Sequence, residues 1–257
     1  MDEPQAATSA TAATRTLRLV VEYDGTGLAG WQRQDGQPTV QGWLEKAFRQ
    51  MTGQEVLVRG AGRTDAGVHA EGQVASVEVA SAIPAIGFLR GLNCQLPPEI
   101  AVLEVADVPA GFDARHDSRG KLYRYQVWNH PVRSPRWARY SWHVYDPLEV
   151  HAMREAAAVL LGEHDFRAFR SSACDRTNTV RIIRRLDLRR AGALIALEVE
   201  GTAFLRNMVR IIAGTLVGVG RGKMSADTVA AVLAAGDRTK AGVTAPACGL
   251  TLVKVLY

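Results

Sequence analysis

A helix that is apolar on nearly every side is predicted at residues 207–219, and it constrains the fold more than any other segment. Its longest apolar stretch, residues 211–219, is too short to cross a bilayer. The helix therefore has to be buried in a protein core. A core that covers most faces of one helix needs other elements packed on several sides of it.

The composition agrees with a chain that builds such a core. Its 257 residues are enough for one large domain or two of ordinary size, and 47% are hydrophobic while 22% are charged. This excludes a disordered or fibrous protein for most of the chain. The N-terminus lacks the basic and apolar regions of a signal peptide, and the three cysteines are far apart in sequence. We therefore expect a cytoplasmic protein without a membrane segment or a disulfide framework.

Strand and helix patterns alternate along the chain, and the fold class they predict is α+β, or mixed α/β. Period-2 alternation predicts a strand at 17–23, and helical spacing after Thr39, the expected cap, predicts a helix. Further strands are predicted at 56–59, 73–79, 100–107, 123–127 and 250–256, and a hairpin turn at 190–192. Three further helices are predicted. One follows Pro84, one runs from an apparent capping box at 146–149 to Gly162, and one runs from Ser225 to about Gly236.

These elements divide into two similar halves, each with a mainly antiparallel sheet and helices on one face. We expect residues 1–14, which are mostly Ala, Thr and Ser, to form a disordered tail. Residues 15–112 are then an N-terminal α/β domain, and residues 113–257 a C-terminal α/β domain.

Positive charge is concentrated in two windows. The net charge of +5 comes from 26 Arg and 5 Lys, a bias that either phosphate binding or GC-rich codon usage explains. Residues 112–140 hold seven basic side chains together with five Tyr and Trp residues, and residues 167–190 hold eight arginines. A solvated strand face is the alternative, but basic and aromatic side chains in one window favour binding to RNA.

A glycine-rich segment at residues 60–69 presents one carboxylate, Asp65, and one guanidinium, Arg63. Its three glycines permit positive φ or close approach of the backbone to another group. The segment lacks the Lys and Ser/Thr of a P-loop and the spacing of a dinucleotide-binding loop. A tight turn closed by an Asx hydrogen bond from Asp65 is the structural alternative.

Two arginines, Arg206 and Arg210, are spaced i, i+4 at the start of the apolar helix, so they share one side of it. A guanidinium buried among apolar neighbours needs a partner, and Asp65 is a good candidate for Arg210. The pair would keep Asp65 ionised, as nucleophilic catalysis requires. A purely structural ion pair is the alternative.

His69 and Glu71 match the H-x-E of the zinc site in nucleobase deaminases. That site also needs a downstream P-C-x-x-C, which the sequence lacks. The remaining histidines have no ligand spacing. We predict no metal.

Eight runs in this order resemble the bacterial tRNA pseudouridine synthase A family. They are EYDG at 22–25, GWQRQ at 30–34, AGRTDAGVHA at 61–70, FDAR at 112–115, KLYRY at 121–125, LGEHDF at 161–166, FLRNMVR at 204–210 and APACGL at 245–250. The third run is highly specific. Many relatives have histidines before the final Met-Val-Arg, where this chain has Arg206 and Asn207.

The resemblance implies an isomerase that converts uridine to pseudouridine at positions 38, 39 and 40 of the tRNA anticodon stem-loop. It implies that Asp65 is the nucleophile, that Arg210 pairs with it, that Tyr123 stacks on the target base, that Arg63 holds the nucleotide out of its stack, and that Leu250 lines the pocket. It further implies a homodimer without cofactor or metal, in which each subunit has two α/β domains whose sheets run together and a basic cleft between them.

Three more basic residues, Arg115, Lys121 and Arg206, are expected to contact the RNA. A second function remains open at this stage, namely a non-catalytic RNA-binding protein that uses the same basic cleft.

Overall fold

The computed structural model describes residues 13–172, 174 and 176–257. Within them the chain forms ten strands and five α-helices. In chain order these are β1 (Thr14–Tyr23), α1 (Val40–Thr52), β2 (Arg59–Gly60), β3 (His69–Ala80), α2 (Ala85–Gln95), β4 (Ile100–Val108), β5 (Gly120–Asn129), β6 (Trp142–Val144), α3 (Val150–Ala158), β7 (Gly162–Asp165), β8 (Val180–Ala191), β9 (Leu194–Gly201), α4 (Met208–Gly220), α5 (Ala226–Ala235) and β10 (Leu250–Leu256).

One sheet contains all of these strands, in the order β4-β1-β3-β10-β5-β9-β8-β7, with β2 paired to β3 and β6 to β5. The pairs are antiparallel except for β3 with β10 and β5 with β6. The mixed α/β class with a large, mainly antiparallel sheet is therefore confirmed. The strands of the first half meet those of the second at the pairing of His69 with Thr251 and of Ala70 with Leu252.

The apolar helix predicted near residue 210 is α4, and its burial is confirmed. Ile211, Ile212 and Leu216 are fully buried, and most of the other residues of the helix are buried as well. Helix α3 contacts α4, α5 and β8, whereas α1 contacts α2. No helix among the described residues is both long and apolar enough to span a bilayer.

Several predicted helix and turn boundaries are confirmed. Thr39 accepts a hydrogen bond from the Gly42 backbone and caps α1, and Ser225 caps α5. Helix α2 begins directly after Pro84. Gly192, with φ +58°, turns the hairpin between β8 and β9.

The predicted capping box at residues 146–149 is wrong. Helix α3 begins at Val150, and its N-cap residue, Glu149, makes no side-chain capping bond. The carboxylate of Asp146 instead lies 3.0 Å from Nε of Arg221, so a tertiary partner has taken the group that the local pattern assigned to capping. The helix also ends at Ala158, and Gly162 begins β7 with φ +94°.

Two further predictions are corrected. The strand expected at 56–59 is reduced to β2, Arg59–Gly60, where the chain pairs with Ser76 and Ala75 of β3. The disordered tail predicted at residues 1–14 extends too far along the chain, because Thr14 already pairs with Ala80 in β1. Residues 1–12 of that tail lie outside the described residues.

Replacing Leu252 by Ala should strongly destabilise the protein, because Leu252 is fully buried in β10 where the two halves of the sheet meet. We expect the free energy of unfolding to fall by about 2–5 kcal/mol, as the cavity left behind cannot close completely. Chemical denaturation measures this loss. The control is Leu103→Ala on β4, where the side chain is 49% exposed and the cost should stay below about 1 kcal/mol. Equal losses in the two variants would contradict the central position of β10.

Candidate active site

Asp65 lies on a loop that backbone hydrogen bonds hold in place between β2 and β3. The Trp31 N–H donates to the Thr64 carbonyl at 3.1 Å, and the Gly67 N–H donates to the Leu28 carbonyl at 3.3 Å. The Val68 N–H closes the turn on the Asp65 carbonyl at 3.2 Å. The turn is thus made by the backbone. The Asp65 side chain is 34% exposed and remains available to other groups.

Gly30 explains why this loop can pack so closely on the preceding one. Its φ is +94°, and a Cβ at this position would lie 2.5 Å from the Thr64 carbonyl oxygen. Gly25 is similarly restricted, because a Cβ there would overlap the backbone of Val68. Both glycines therefore permit backbone-to-backbone contacts that fix the position of Asp65.

The structure brings Arg206 and Arg210 to Asp65 from the start of α4. Nη1 of Arg210 lies 3.5 Å from one carboxylate oxygen, and Nε of Arg206 lies 3.9 Å from the other. Arg210 is 16% exposed and Arg206 is 56% exposed. The carboxylate therefore faces one nearly buried guanidinium and one that solvent reaches. Arg206 precedes α4, which begins at Met208, so the prediction that both arginines share one side of the helix is wrong, although both reach Asp65.

Arg210 is held by more than its ion pair. Its Nε donates to the Ala245 carbonyl at 2.7 Å, and its Nη1 donates to Oδ1 of Asn207 at 3.0 Å. Asn207 adopts the left-handed conformation, with φ +63°, one residue before the helix begins. These bonds use the fixed fork of the guanidinium, so its orientation toward Asp65 is set by protein groups.

Tyr123 lies on β5, near the middle of the sheet, with its ring edge-to-face against Phe204 at a centroid distance of 5.2 Å. Only 8% of the residue is exposed. Burial, followed by the nearby Tyr23 and Asp65, raises the pKa of the Tyr123 hydroxyl well above its usual value. The phenol is therefore protonated throughout the neutral range.

The other expected site residues differ in exposure. Leu250 is buried at the start of β10, opposite Tyr125 on β5. Arg63 is exposed on the Asp65 loop, and among the described residues it makes no hydrogen bond or ion pair. Arg115 is exposed in a turn whose backbone N–H groups are held by Asp113.

Lys121, which is expected to contact RNA, lies almost entirely out of contact with solvent. It is only 9% exposed, and its Cε lies 3.0 Å from where a Cβ on Gly62 would be. Burial, together with the charge of Arg115, lowers the pKa of its amine. Its Nζ is 3.5 Å from Oγ of Ser118. The amine thus lies against the Asp65 loop with little exposure to solvent, and its contact with RNA stays a prediction.

A polar cluster that the sequence did not indicate supports the same loop. Buried His69 has its Nδ1 3.1 Å from a carboxylate oxygen of Asp24, and its Nε2 2.9 Å from the Arg139 carbonyl. Tyr140 donates its hydroxyl to Asp24 at 2.9 Å. Burial alone would raise the pKa of Asp24, but hydrogen bonds from Thr26 and Tyr140 and the nearby His69 lower it.

His69, the histidine of the H-x-E pattern, therefore has its ring nitrogens in contact with Asp24 and the Arg139 carbonyl. Within the described residues, no group of three or more His, Cys, Asp or Glu side chains is placed to hold a metal ion. Tyr140 is 116 positions from Asp24, so no local pattern could reveal the contact.

Comparison with known proteins identifies close relatives. A family described as tRNA pseudouridine synthase matches residues 19–117 and 156–257. The chain is 48% identical to tRNA pseudouridine synthase A of Pelobacter propionicus over 95% of this chain and 100% of that one. It is 49% identical to the protein of the same name from Myxococcus xanthus, over 94% of this chain and 91% of that one.

Among solved structures, a crystal structure of a Cbf5-Nop10-Gar1 complex matches with 14% identity and a TM-score of 0.34, over 78% of this chain and 45% of that one. This likeness is too low to carry an argument about fold or function.

Replacing Gly30 by Ala should displace the Asp65 loop and destabilise the protein. The new Cβ is strained by the positive φ and also overlaps the Thr64 carbonyl, so we expect a loss of roughly 2–5 kcal/mol in the free energy of unfolding. The matched control is Gly36→Ala, where φ is +70° but nothing lies within 4 Å, and a loss of about 1 kcal/mol is expected. Chemical denaturation compares the two, and equal losses would contradict the close approach at Gly30.

Proposed function

The chain belongs to the tRNA pseudouridine synthase family, and from this we propose that it acts on uridines 38, 39 and 40 of the anticodon stem-loop with Asp65 as the nucleophile. It is an isomerase that converts uridine to pseudouridine in tRNA. The observation that carries the assignment of Asp65 is its placement on a fixed loop, facing Arg206 and Arg210.

The reaction moves the glycosidic bond of uracil from N1 to C5, which requires the base to leave the helical stack. The ionised Asp65 has three possible first steps, namely attack on C6 of the base, attack on C1′ of the ribose, or removal of a sugar proton on the way to a glycal. The guanidinium of Arg210 holds the carboxylate in position for each of them. In every route the hydrogen on C5 is finally lost to solvent.

Tyr123 is assigned to stacking on the flipped base, a contact worth roughly 1–3 kcal/mol per base. Its ring is fixed edge-on by Phe204, so little conformational entropy is lost when a base stacks on it. Its raised pKa does not favour a phenolate acting as a base near neutral pH.

The exposed Arg63 is assigned to the space that the target nucleotide vacates. It lies two positions before the nucleophile, on the same fixed loop. Its guanidinium makes no hydrogen bond or ion pair with the described residues, so no such contact has to break before it enters this space. Leu250 supplies an apolar wall of the pocket from the start of β10. Arg115 and Arg206 are exposed and suited to RNA phosphates.

We further propose two α/β domains, residues 15–112 and 113–257, with a basic cleft between them. In support, the nucleophile comes from the first range, whereas Tyr123, Arg210 and Leu250 come from the second. The resemblance to the family supports a homodimer that shares the tRNA and needs no cofactor.

Replacing Asp65 by Asn should lower the rate of pseudouridine formation at least about 10³-fold, because the amide keeps the shape of the side chain but is not a nucleophile. tRNA binding should be retained. Tritium release from uridine labelled at C5 measures the rate, and the matched control is Asp35→Asn, at an exposed turn residue. A D65N variant with the wild-type rate would remove Asp65 from the chemistry. If the wild-type protein bound tRNA but released no tritium, a non-catalytic RNA-binding protein would be the correct interpretation.

Replacing Arg210 by Lys should keep the positive charge but lose the fork that contacts Asp65, Ala245 and Asn207 together. We expect kcat to fall about 10²-fold, because small displacements of reacting groups have effects of this size. The free energy of unfolding should fall by about 1–3 kcal/mol, because a carbonyl loses its donor. The matched control is Arg90→Lys, on the exposed side of α2. Unchanged kcat in R210K would show that the charge alone is sufficient.

A further inference from the structure

Two adjoining cavities open beside α4, and the residues that line them have no role assigned so far. The larger, of about 430 Å³, lies between the turn at residues 171–172 and the segment 238–244. The smaller, of about 220 Å³, is bounded by Arg167, Arg170 and Gly236. Ser172 and Arg238 line both cavities, so the two form one continuous groove, which we call the 172/238 groove.

Among the described residues, the lining of the 172/238 groove is positively charged and contains no acidic side chain. Arg167 is paired with Asp165 at its rim. Arg170 and Arg238, in contrast, donate to carbonyl and hydroxyl oxygens, and neither has a carboxylate at ion-pair distance among the described residues. Two guanidinium charges are therefore left for an anion to neutralise.

Arg238 is already oriented for such a role. Its Nη1 donates to the Gly242 carbonyl at 2.9 Å, and its Nη2 donates to the hydroxyl of Thr244 at 3.1 Å. A guanidinium has five N–H donors, so these two bonds leave others available. Because the side chain is already fixed, binding an anion costs it little conformational entropy.

Both walls of the groove are attached to the arginines that face Asp65. On one wall, the Ser171 N–H donates to the Arg206 carbonyl at 3.0 Å. On the other, the Ala245 N–H donates to the Arg210 carbonyl at 3.2 Å, and the Ala245 carbonyl accepts from the Arg210 side chain. The groove therefore begins within one residue of groups that orient the nucleophile.

The wall at residues 242–244 is also rigidly packed on α4. A Cβ on Gly214 would overlap the Val243 carbonyl, and the Gly242 N–H donates to the hydroxyl of Thr215 at 2.9 Å. This wall therefore moves together with the helix that carries Arg210. An anion held there would have a fixed position relative to Asp65.

We propose that the 172/238 groove binds a backbone phosphate of the tRNA strand that adjoins the target uridine, with Arg170 and Arg238 as the ligands. The inference rests on the proposed function, because it takes tRNA as the substrate. It assigns to these two arginines the task of fixing the register of the strand while the base occupies the pocket beside Asp65.

The test uses Arg170→Gln, which removes one charge, and Arg238→Lys, which keeps the charge but loses the fork. R170Q should raise the Kd for tRNA about tenfold, the loss expected for one charge-assisted hydrogen bond. It should also reduce the slope of log K against log salt by about one. R238K should raise the Kd by a similar factor without changing the slope.

The matched controls are Arg90→Gln and Arg90→Lys, because Arg90 is exposed on α2 and makes no hydrogen bond or ion pair with the described residues. Thermal melting of R238K verifies that the protein folds, since Arg238 also bonds to Gly242 and Thr244. Wild-type Kd and salt slope in R170Q, or a Kd in folded R238K equal to that of R90K, would overturn the proposal. Either result would leave the proposed function unaffected if D65N is inactive and still binds tRNA.

Discussion

A guanidinium inside an apolar helix is the constraint on which this site depends. Arg210 lies on α4 among fully buried residues, where an unsatisfied charge is unstable. Its hydrogen bonds go to Asn207 and Ala245, and its charge faces Asp65, so one side chain links three separate segments. The contact that satisfies this guanidinium also orients the carboxylate of Asp65, the proposed nucleophile.

That contact also links the segments that lead into the two central strands of the sheet. Asp65 precedes β3, and Ala245 precedes β10, the two strands that pair in parallel at the centre. The Asp65 loop is fixed from the other side by Gly30, whose positive φ allows the backbone of Thr64 to approach closely. The carboxylate is thus positioned by backbone packing on one side and by a guanidinium on the other, which favours a single orientation.

Local patterns predicted those parts of the molecule that local forces decide. The burial of α4 follows from the apolar residues of one helix, and the pairing of Arg210 with Asp65 follows from the need of a nearly buried guanidinium for an anionic partner. The capping role given to Asp146 failed because Arg221, far away in sequence, took the carboxylate. Lys121 was expected to contact RNA, and the pairing of β5 on both sides leaves little of it exposed.

The arginines of this chain also show why net charge is a poor guide to RNA recognition. A guanidinium neutralised by an internal carboxylate, such as Arg210, adds little to the field that an incoming phosphate experiences. An exposed one, such as Arg63, attracts RNA through a screened interaction and must be ordered on binding. Arg238 is intermediate, because it is fixed by a carbonyl and a hydroxyl but keeps its charge. Only the last arrangement combines attraction with a defined position, and a defined position is what selecting one uridine on a strand requires.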